Sequence, residues 1–405
     1  MSHAAEGNTK KEQLRQLWVL IAVNLVDMLG FAMILPLLPF YALKLKATPE
    51  VVGWMIASFS IAQLIASPIW GRVSDKYGRR PALLIGLLAS AIACLVFGLA
   101  NSLWLLFLSR IVQGAGGGTT GVAQAYVSDT VAPADRARAL GWLSAATAAG
   151  VMVGPAIGSV AAHFGREMPG LIAAGLCFLN VLAAWKWLPE SRRAEDRATP
   201  KPRKPIWHAA WVVIRHPAEK AARLIWIYGT GMLAFSLLTS VLALWLDARF
   251  GVTEENIGYF FVYNGLLSLV LRSLLLGPVV DRIGETRAMR LGALILAIGL
   301  MLYTVAPSVW VLAAIIPLVP IGTALLFPAS TSLLSHATEP EELGTTMGVA
   351  QTFAGVARII APIAGTVAFQ RIGVDAPFLI AGVTMLGVAL LSWRFVRPPV
   401  PAVAA

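Results

Sequence analysis

Residues 71–80 read GRVSDKYGRR and lie between two long apolar runs of the chain. Hydrophobic residues make up 58% of the sequence and charged residues only 13%. A soluble domain usually carries about 25% charged residues. A chain of 405 residues with so few charges cannot cover its surface with polar groups, so the bilayer is its expected solvent.

The apolar runs are long enough to cross a membrane as helices. A hydrocarbon core of ~30 Å needs about 20 apolar residues, and lipid offers no partner for unpaired backbone groups. The sequence therefore predicts an all-α polytopic membrane protein. It has twelve expected spans, at residues 16–42, 51–71, 82–100, 102–128, 139–163, 169–188, 222–247, 256–277, 288–306, 308–335, 345–370 and 374–396.

The distribution of basic residues predicts the orientation. Most of the 32 lysine and arginine residues fall in alternate loops, and the side that holds them is expected to be cytoplasmic, with both termini. Because these residues lie in loops between spans, the net charge of +11 does not indicate a nucleic-acid partner. Short loops and the lack of a targeting extension favour a bacterial inner membrane.

The charged stretch 189–221 interrupts the apolar pattern and predicts a division into two six-helix bundles. The expected parts are a cytoplasmic tail (1–15), an N-terminal bundle (16–188), a cytoplasmic linker (189–221), a C-terminal bundle (222–396) and a cytoplasmic tail (397–405). The linker is either a solvated connector or a segment that contacts anionic lipid. Gly71 to Asp75 recurs as Gly277 to Asp281, which indicates a duplication and pseudo-symmetric bundles.

The charged loop resembles the signature loop of the major facilitator superfamily, through Gly71, Asp75, Gly78, Arg79 and Arg80, with Asp281 in the repeat. Gly71 is expected to let two helices approach, and Arg79 to pair with carboxylates. Asp75 is expected to face a helix N-terminus near Thr345. The resemblance implies a transporter in which these residues latch the cytoplasmic side shut and stabilise the outward-open state. It also implies a substrate site near the midplane, between the bundles.

Two further motifs match that superfamily. The fourth span carries Arg110, Gln113 and Gly114, and a charge there costs at least ~2.5 kcal/mol unless it faces a cavity or an acid. In proton-coupled relatives this arginine is thought to serve proton transfer; otherwise it pairs structurally with a carbonyl or an acid. The fifth span carries the pattern of superfamily antiporters, in which small residues allow close helix packing and proline bends the helix: Gly150, Gly154, Pro155 and Gly158.

Asp27 lies in the first span at a depth of ~16 Å, close to the membrane midplane. A carboxylate there is either protonated or paired with a cation, for which Arg110 is the obvious partner. It therefore serves either proton or substrate coupling, or a structural ion pair. An Asp at this place, followed by Gly and Pro-x-x-Pro, resembles the tetracycline-exporter-like branch of drug:proton antiporters.

The C-terminal half departs from that branch because its spans hold no Asp or Glu near the membrane midplane. It offers Arg272 and Arg358 instead. Arg358 is expected to hold an anionic substrate group, to balance Asp27 across the cavity, or to reach a helix end. The substrate-cavity candidates are Asn24, Asp27, Tyr228, Phe235, Tyr263, Asn264, Gln351 and Arg358.

No enzymatic activity, cofactor or metal is expected. His163 and His336 fall at span ends, no cluster has metal-ligand spacing, and Gly114 to Gly118 lacks the residues of a phosphate loop. Cys94 and Cys177 lie in apolar spans and are expected to pack as small hydrophobic residues. The resemblance implies a monomeric secondary transporter that exchanges protons for small amphipathic drugs or metabolites. The alternative is a facilitator or symporter of an anionic nutrient, solute or lipid.

Overall fold

The computed structural model describes residues 2–132, 135–191, 206–274, 276–339 and 342–395, which form seventeen helices and no strand. The first eight are α1 (Ser2–Ile34), α2 (Leu38–Lys44), α3 (Pro49–Tyr77), α4 (Arg79–Gly98), α5 (Leu103–Gly117), α6 (Thr120–Thr130), α7 (Arg136–Ala162) and α8 (Met168–Trp187). The other nine are α9 (Ile206–Arg215), α10 (Lys220–Phe250), α11 (Ile257–Leu274), α12 (Leu276–Ile283), α13 (Glu285–Tyr303), α14 (Val309–Ile315), α15 (Leu318–His336), α16 (Leu343–Arg371) and α17 (Ala376–Phe395).

All twelve predicted spans are helical. Within the described ranges, ten spans are long and apolar enough to cross a membrane, and two of them, Arg15–Lys44 and Val309–His336, consist of two helices each. The fourth predicted span is divided into α5 and α6 by a turn at Gly118 and Thr119. The twelfth contains a shorter apolar helix, Ala376–Leu390. The predicted all-α polytopic membrane fold is confirmed.

Several boundaries differ from those predicted. The helix α1 begins at Ser2, within the predicted tail 1–15, and α9 lies within the predicted linker 189–221. Most of the loop 71–80 is helical, because α3 continues to Tyr77 and α4 begins at Arg79. Residues 192–205 of the linker and the predicted tail 397–405 lie outside the described residues.

Two compact units divide the chain. The first comprises Met1–Lys201 with Val252–Gly265, and the second Pro202–Gly251 with Leu266–Ala405. A buried core in the first unit joins residues of α1, α4, α6 and α7, among them Leu20, Leu83 and Tyr126. In the second unit the buried ring of Trp245 lies 5.0 Å from that of Phe378.

The break between α3 and α4 is a single glycine, and the same break recurs in the repeat. Gly78 has a φ of 110° and Gly284, between α12 and α13, has a φ of 77°. Residues with a side chain rarely adopt these angles, so glycine allows a sharp reversal between two helices. Each unit therefore carries the same turn at corresponding positions of the repeat.

Candidate functional site

The helices α1 and α7 pack backbone to backbone through the predicted antiporter glycines. A β-carbon on Gly150 would lie 2.7 Å from Leu25 O, and one on Gly154 would lie 2.7 Å from Leu29 O. A β-carbon on Gly158 would collide with Met33 O. Small residues four apart therefore allow the two helices to approach until little space remains between their backbones.

Polar side chains hold α1 against its neighbours on either side of Asp27. Asn24 Nδ2 donates to Thr147 Oγ1 at 2.7 Å and to Leu143 O at 3.3 Å, both on α7. From α8, Asn180 Nδ2 donates to Val23 O at 2.9 Å. Hydrogen bonds and small-residue packing together hold the segment of α1 that carries Asp27 in one place.

The carboxylate of Asp27 is only partly satisfied by the protein. The Ser90 side chain of α4 lies close enough to interact with it. Its Oδ1 atom, however, is buried and has no hydrogen-bond partner among the described residues. A buried polar atom without a partner is costly, so Oδ1 marks a place where water or a proton can be held.

A cleft in the first unit reaches Asp27. It is lined by residues of α1, α4 and α6 and of the turn before α6: Leu20, Val23, Asn24, Asp27, Leu83, Leu87, Thr119, Thr120 and Ala123. Its volume is about 330 Å³ including its open mouth, and water centres can occupy about 20 Å³ of it. One water molecule needs roughly 10–15 Å³ by this measure, so the cleft can be hydrated.

Arg110 lies in the interior of the same unit and forms no ion pair with Asp27. Its side chain is 1% exposed, and its Nη1 and Nη2 atoms have no hydrogen-bond partner in the described ranges. Its guanidinium carbon lies 5.6 Å from the ring centroid of Phe97. The described residues therefore do not contain the Asp27–Arg110 pair that the sequence suggested, because the guanidinium of Arg110 lies against the ring of Phe97 instead.

The other members of the fourth-span motif pack at helix interfaces. Gln113 is 2% exposed and its Nε2 lies 3.9 Å from Cys94 Sγ. A β-carbon on Gly114 would collide with Phe59 O of α3. Both cysteines are free and buried, as expected for small packing residues.

A cluster of charges surrounds Arg79 at the junction of α3 and α4. Arg79 Nη1 lies 2.8 Å from Asp75 Oδ1 and 2.7 Å from Ser74 Oγ. Arg79 Nε lies 3.0 Å from Asp129 Oδ2 on α6. Arg79 therefore joins the charged loop to the end of the fourth span, as predicted for its pairing with carboxylates.

The carboxylate of Glu190 caps the N-terminus of α4. It accepts hydrogen bonds from the backbone amides of Arg79, at 2.9 Å, and Arg80, at 3.2 Å. An acid at a helix N-terminus satisfies orphan amides and interacts favourably with the helix dipole. A β-carbon on Gly78 would collide with this carboxylate, so the glycine also makes space for Glu190.

One prediction for the charged loop is wrong in this structure. Among the described residues of the first unit, a β-carbon on Gly71 would meet no atom within 4 Å, so Gly71 does not bring two helices of this unit together. The side chain of Asp281, the counterpart of Asp75, is exposed. In the repeat, the position that corresponds to Arg79 is occupied by Glu285. The Oε1 atom of Glu285 accepts a hydrogen bond from Ser332 Oγ at 2.5 Å.

The second unit brings four of the predicted cavity residues together on α10 and α16. Gln351 Nε2 lies 3.4 Å from Tyr228 Oη. The ring centroid of Phe327, on α15, lies 5.6 Å from that of Tyr228 and 6.2 Å from that of Phe235. Arg358 lies on α16 with an exposed side chain, close enough to Tyr228 for an electrostatic interaction.

Two further candidates lie on α11 in the first unit. Tyr263 and Asn264 belong to the segment Val252–Gly265 of the first unit, where Gly258 N donates to Ser159 Oγ at 2.9 Å. The side chain of Arg272 is exposed in the second unit. Within the described residues, no group of three or more His, Cys, Asp or Glu side chains could hold a metal ion.

A family model described as the Major Facilitator Superfamily matches residues 20–275 and 224–405. The chain belongs to this superfamily. As a member of it, the chain is a multi-pass membrane transporter, and the ten membrane-length spans of the described residues agree with that assignment.

Relatives within the Major Facilitator Superfamily include resistance proteins of bacteria. The chain is 28% identical to "Multidrug resistance protein 2" of Bacillus subtilis (strain 168) over 372 residues, which cover 91% of this chain and 92% of that protein. It is 25% identical to "Tetracycline resistance protein, class B" of Escherichia coli over 391 residues, which cover 94% and 96% of the two chains.

Solved structures with the same fold include transporters of other compounds. The crystal structure of the nucleoside transporter NupG matches with a TM-score of 0.76 at 14% identity, covering 95% of this chain and 99% of that one. The human organic anion transporter MFSD10 (TETRAN) matches with a TM-score of 0.68 at 23% identity, covering 94% and 99%. At these identities the likeness establishes the superfamily fold alone.

Several residues of the clusters around Asp27, Arg79 and Arg358 were not predicted from the sequence. Asp129 and Glu190 are acids at span ends that border basic loops, and this local contrast was an available signal. Ser90 and Phe327 sit in apolar spans, where no local signal separates a functional hydroxyl or ring from one that only packs.

Proposed function

We propose that this chain exports small amphipathic drugs or metabolites in exchange for protons, by alternating access. The resistance proteins to which it is similar support export of drugs. In this proposal the protein acts as a monomer in a bacterial inner membrane, with both termini in the cytoplasm. Its counter-ion is the proton, which moves inward as substrate moves outward.

The observation that carries the proposal is the buried, unpartnered Oδ1 atom of Asp27 beside a cleft that can hold water. As an anion in this place, the carboxylate is poorly solvated. A proton bound to Oδ1 removes the charge and supplies a hydrogen-bond donor. Asp27 is therefore suited to take up and release one proton per cycle.

The cleft supplies a route for that proton. Asn24, Thr119 and Thr120 place an amide and two hydroxyl groups along its lining. These groups can hold water in line, since a buried water needs two to four polar partners. Water that reaches Asp27 lets the carboxylate exchange protons without opening the packed seam of α1 and α7.

Arg110 is a second charged residue in the interior of the same bundle. With two of its nitrogen atoms unpartnered, it keeps its positive charge available rather than neutralised by an acid. We assign Arg110 a part in proton transfer that does not require an ion pair with Asp27.

Proton release in proteoliposomes tests this proposal. The wild type, reconstituted with an imposed proton gradient and given lipophilic dyes or antibiotics, is expected to move protons when substrate is added. Asp27→Asn is expected to abolish this movement, because an amide binds no proton in this pH range. Asp135→Asn, the same chemical change at an exposed residue before α7, serves as the control and is expected to retain it.

The second candidate, a facilitator or symporter of an anionic solute, is favoured by Arg358. If Asp27→Asn carried substrate as fast as the wild type, and no proton movement accompanied transport in either, the antiport proposal would be wrong. The facilitator would then be the better account of the flux.

A further inference from the structure

We infer that the aromatic face around Arg358 is a substrate subsite for amphipathic organic anions, such as an aromatic ring system that carries a carboxylate or sulfonate. This inference rests on the proposed function only in that the bound anion is the compound exported. It names a substrate class that the antiport proposal leaves open. The evidence lies within the second unit.

Arg358 has an exposed side chain at the middle of the 29-residue helix α16. At 1.5 Å per residue, it lies roughly 20 Å from either end of the helix, near the depth of the membrane midplane. An arginine at that depth is costly unless it meets water or a counter-charge, so this face of α16 is expected to be wet.

No residue in the described ranges forms a hydrogen bond or ion pair with Arg358. The sequences of α15 and α16 contain no Asp or Glu, and α10 contains only Asp247, close to its end. The positive charge is therefore uncompensated by the helices that form this face. A bound anion would compensate it, whereas a cationic drug would be repelled.

Two further polar groups lie near this charge. The Tyr228 hydroxyl interacts electrostatically with Arg358 and lies 3.4 Å from the amide nitrogen of Gln351. A phenol and a primary amide can both donate hydrogen bonds, as does a guanidinium. This concentration of donors suits the oxygens of a carboxylate or sulfonate.

Aromatic rings extend the site away from the charge. Tyr228 and Phe327 meet edge to face, and Phe235 meets Phe327 in the same manner, with interplanar angles of 74° and 78°. A β-carbon on Gly231 would lie 3.2 Å from Phe327 Cε1, so this glycine makes room for the ring. Such a surface binds flat apolar groups, which places the ring system of the ligand beside its anionic group.

Two probes with the same aromatic skeleton separate charge from hydrophobic binding. They are 1-anilinonaphthalene-8-sulfonate, which is anionic, and N-phenyl-1-naphthylamine, which lacks the sulfonate. Binding of each is measured by equilibrium dialysis of the protein in nanodiscs against empty nanodiscs. Arg358→Gln is expected to weaken sulfonate binding about ten- to a hundred-fold, since one or two charged hydrogen bonds are lost.

The controls separate this effect from damage to the fold. Arg358→Gln is expected to bind the uncharged probe within about two-fold of the wild type, Arg358→Lys to retain most of the sulfonate binding, and Phe327→Ala to weaken both probes. Arg287→Gln, at an exposed arginine of the same unit, is expected to change neither. Equal weakening of both probes by Arg358→Gln, or no weakening of either, would overturn the inference.

The inference and the proposed function fail in different ways. Proton movement is recorded in liposomes with the same probes and wild-type protein. Selective loss of sulfonate binding in Arg358→Gln without any proton movement in the wild type would support the subsite and refute antiport. Proton movement with the uncharged probe, together with unchanged sulfonate binding in Arg358→Gln, would refute the subsite and support antiport.

Discussion

A methyl group added at Gly154 is expected to force α1 and α7 apart. The new β-carbon would lie 2.7 Å from Leu29 O and 3.0 Å from Met33 N, whereas ordinary contacts begin at 3.4 Å. These are backbone atoms, which cannot rotate away as a side chain can. To reach ordinary contact the helices must therefore separate by roughly 0.7 Å, and overpacking of this kind costs about 1–3 kcal/mol.

The measurement is the melting temperature of the purified protein, together with passive proton leak in proteoliposomes. For a unit of this size, 1 kcal/mol corresponds to roughly 2–4 °C, so Gly154→Ala is expected to lower the melting temperature by about 2–12 °C. Leak is expected to rise, because water can enter a loosened seam beside Asp27. Neither change is expected for Gly175→Ala in α8, where a β-carbon would meet nothing within 4 Å.

Equal melting temperatures for Gly154→Ala and Gly175→Ala would refute the reasoning, because the two substitutions add the same methyl group to membrane helices. A lower melting temperature with unchanged leak would retain the packing argument and refute the role of the seam as a barrier to water.

Two other substitutions probe the charged junction of the first unit, each by thermal unfolding of the purified protein. Gly78→Ala is expected to lower the free energy of unfolding by about 1–3 kcal/mol because of its positive φ, and further because its β-carbon would collide with Glu190. At Gly284 a β-carbon would meet no described atom within 4 Å, so Gly284→Ala is expected to show only the conformational cost. Equal losses of stability in the two variants would exclude the collision. Arg79→Gln is expected to lower the free energy of unfolding by about 1–3 kcal/mol, because it removes charged hydrogen bonds that include the one to Asp129. Arg287→Gln is the control, and equal stability of the two variants would contradict this expectation.

Much of the architecture follows from local properties of the sequence. Apolar length predicts the spans, because a helix must cross a hydrocarbon layer of nearly constant thickness. Breaks within spans are less evident locally. The break in the first span covers residues 35–37 and includes Pro36, and that in the tenth covers residues 316–317 and includes Pro317. The prolines at 155 and 362, in contrast, lie inside continuous helices. The same residue type thus has different outcomes, which depend on what replaces its missing hydrogen bond.

By itself, the sequence predicted the helical spans, the repeat, the family and the positions of Asp27, Arg110 and Arg358 along their helices. Only the tertiary structure decided which of these groups meet. Asp27 contacts Ser90 rather than Arg110, Glu190 closes the start of α4, and Phe327 joins the predicted cavity residues. Depth depends on position along one helix and is local. Contact depends on how helices far apart in the chain rotate and pack against one another, which is set by the shapes of all the surfaces together.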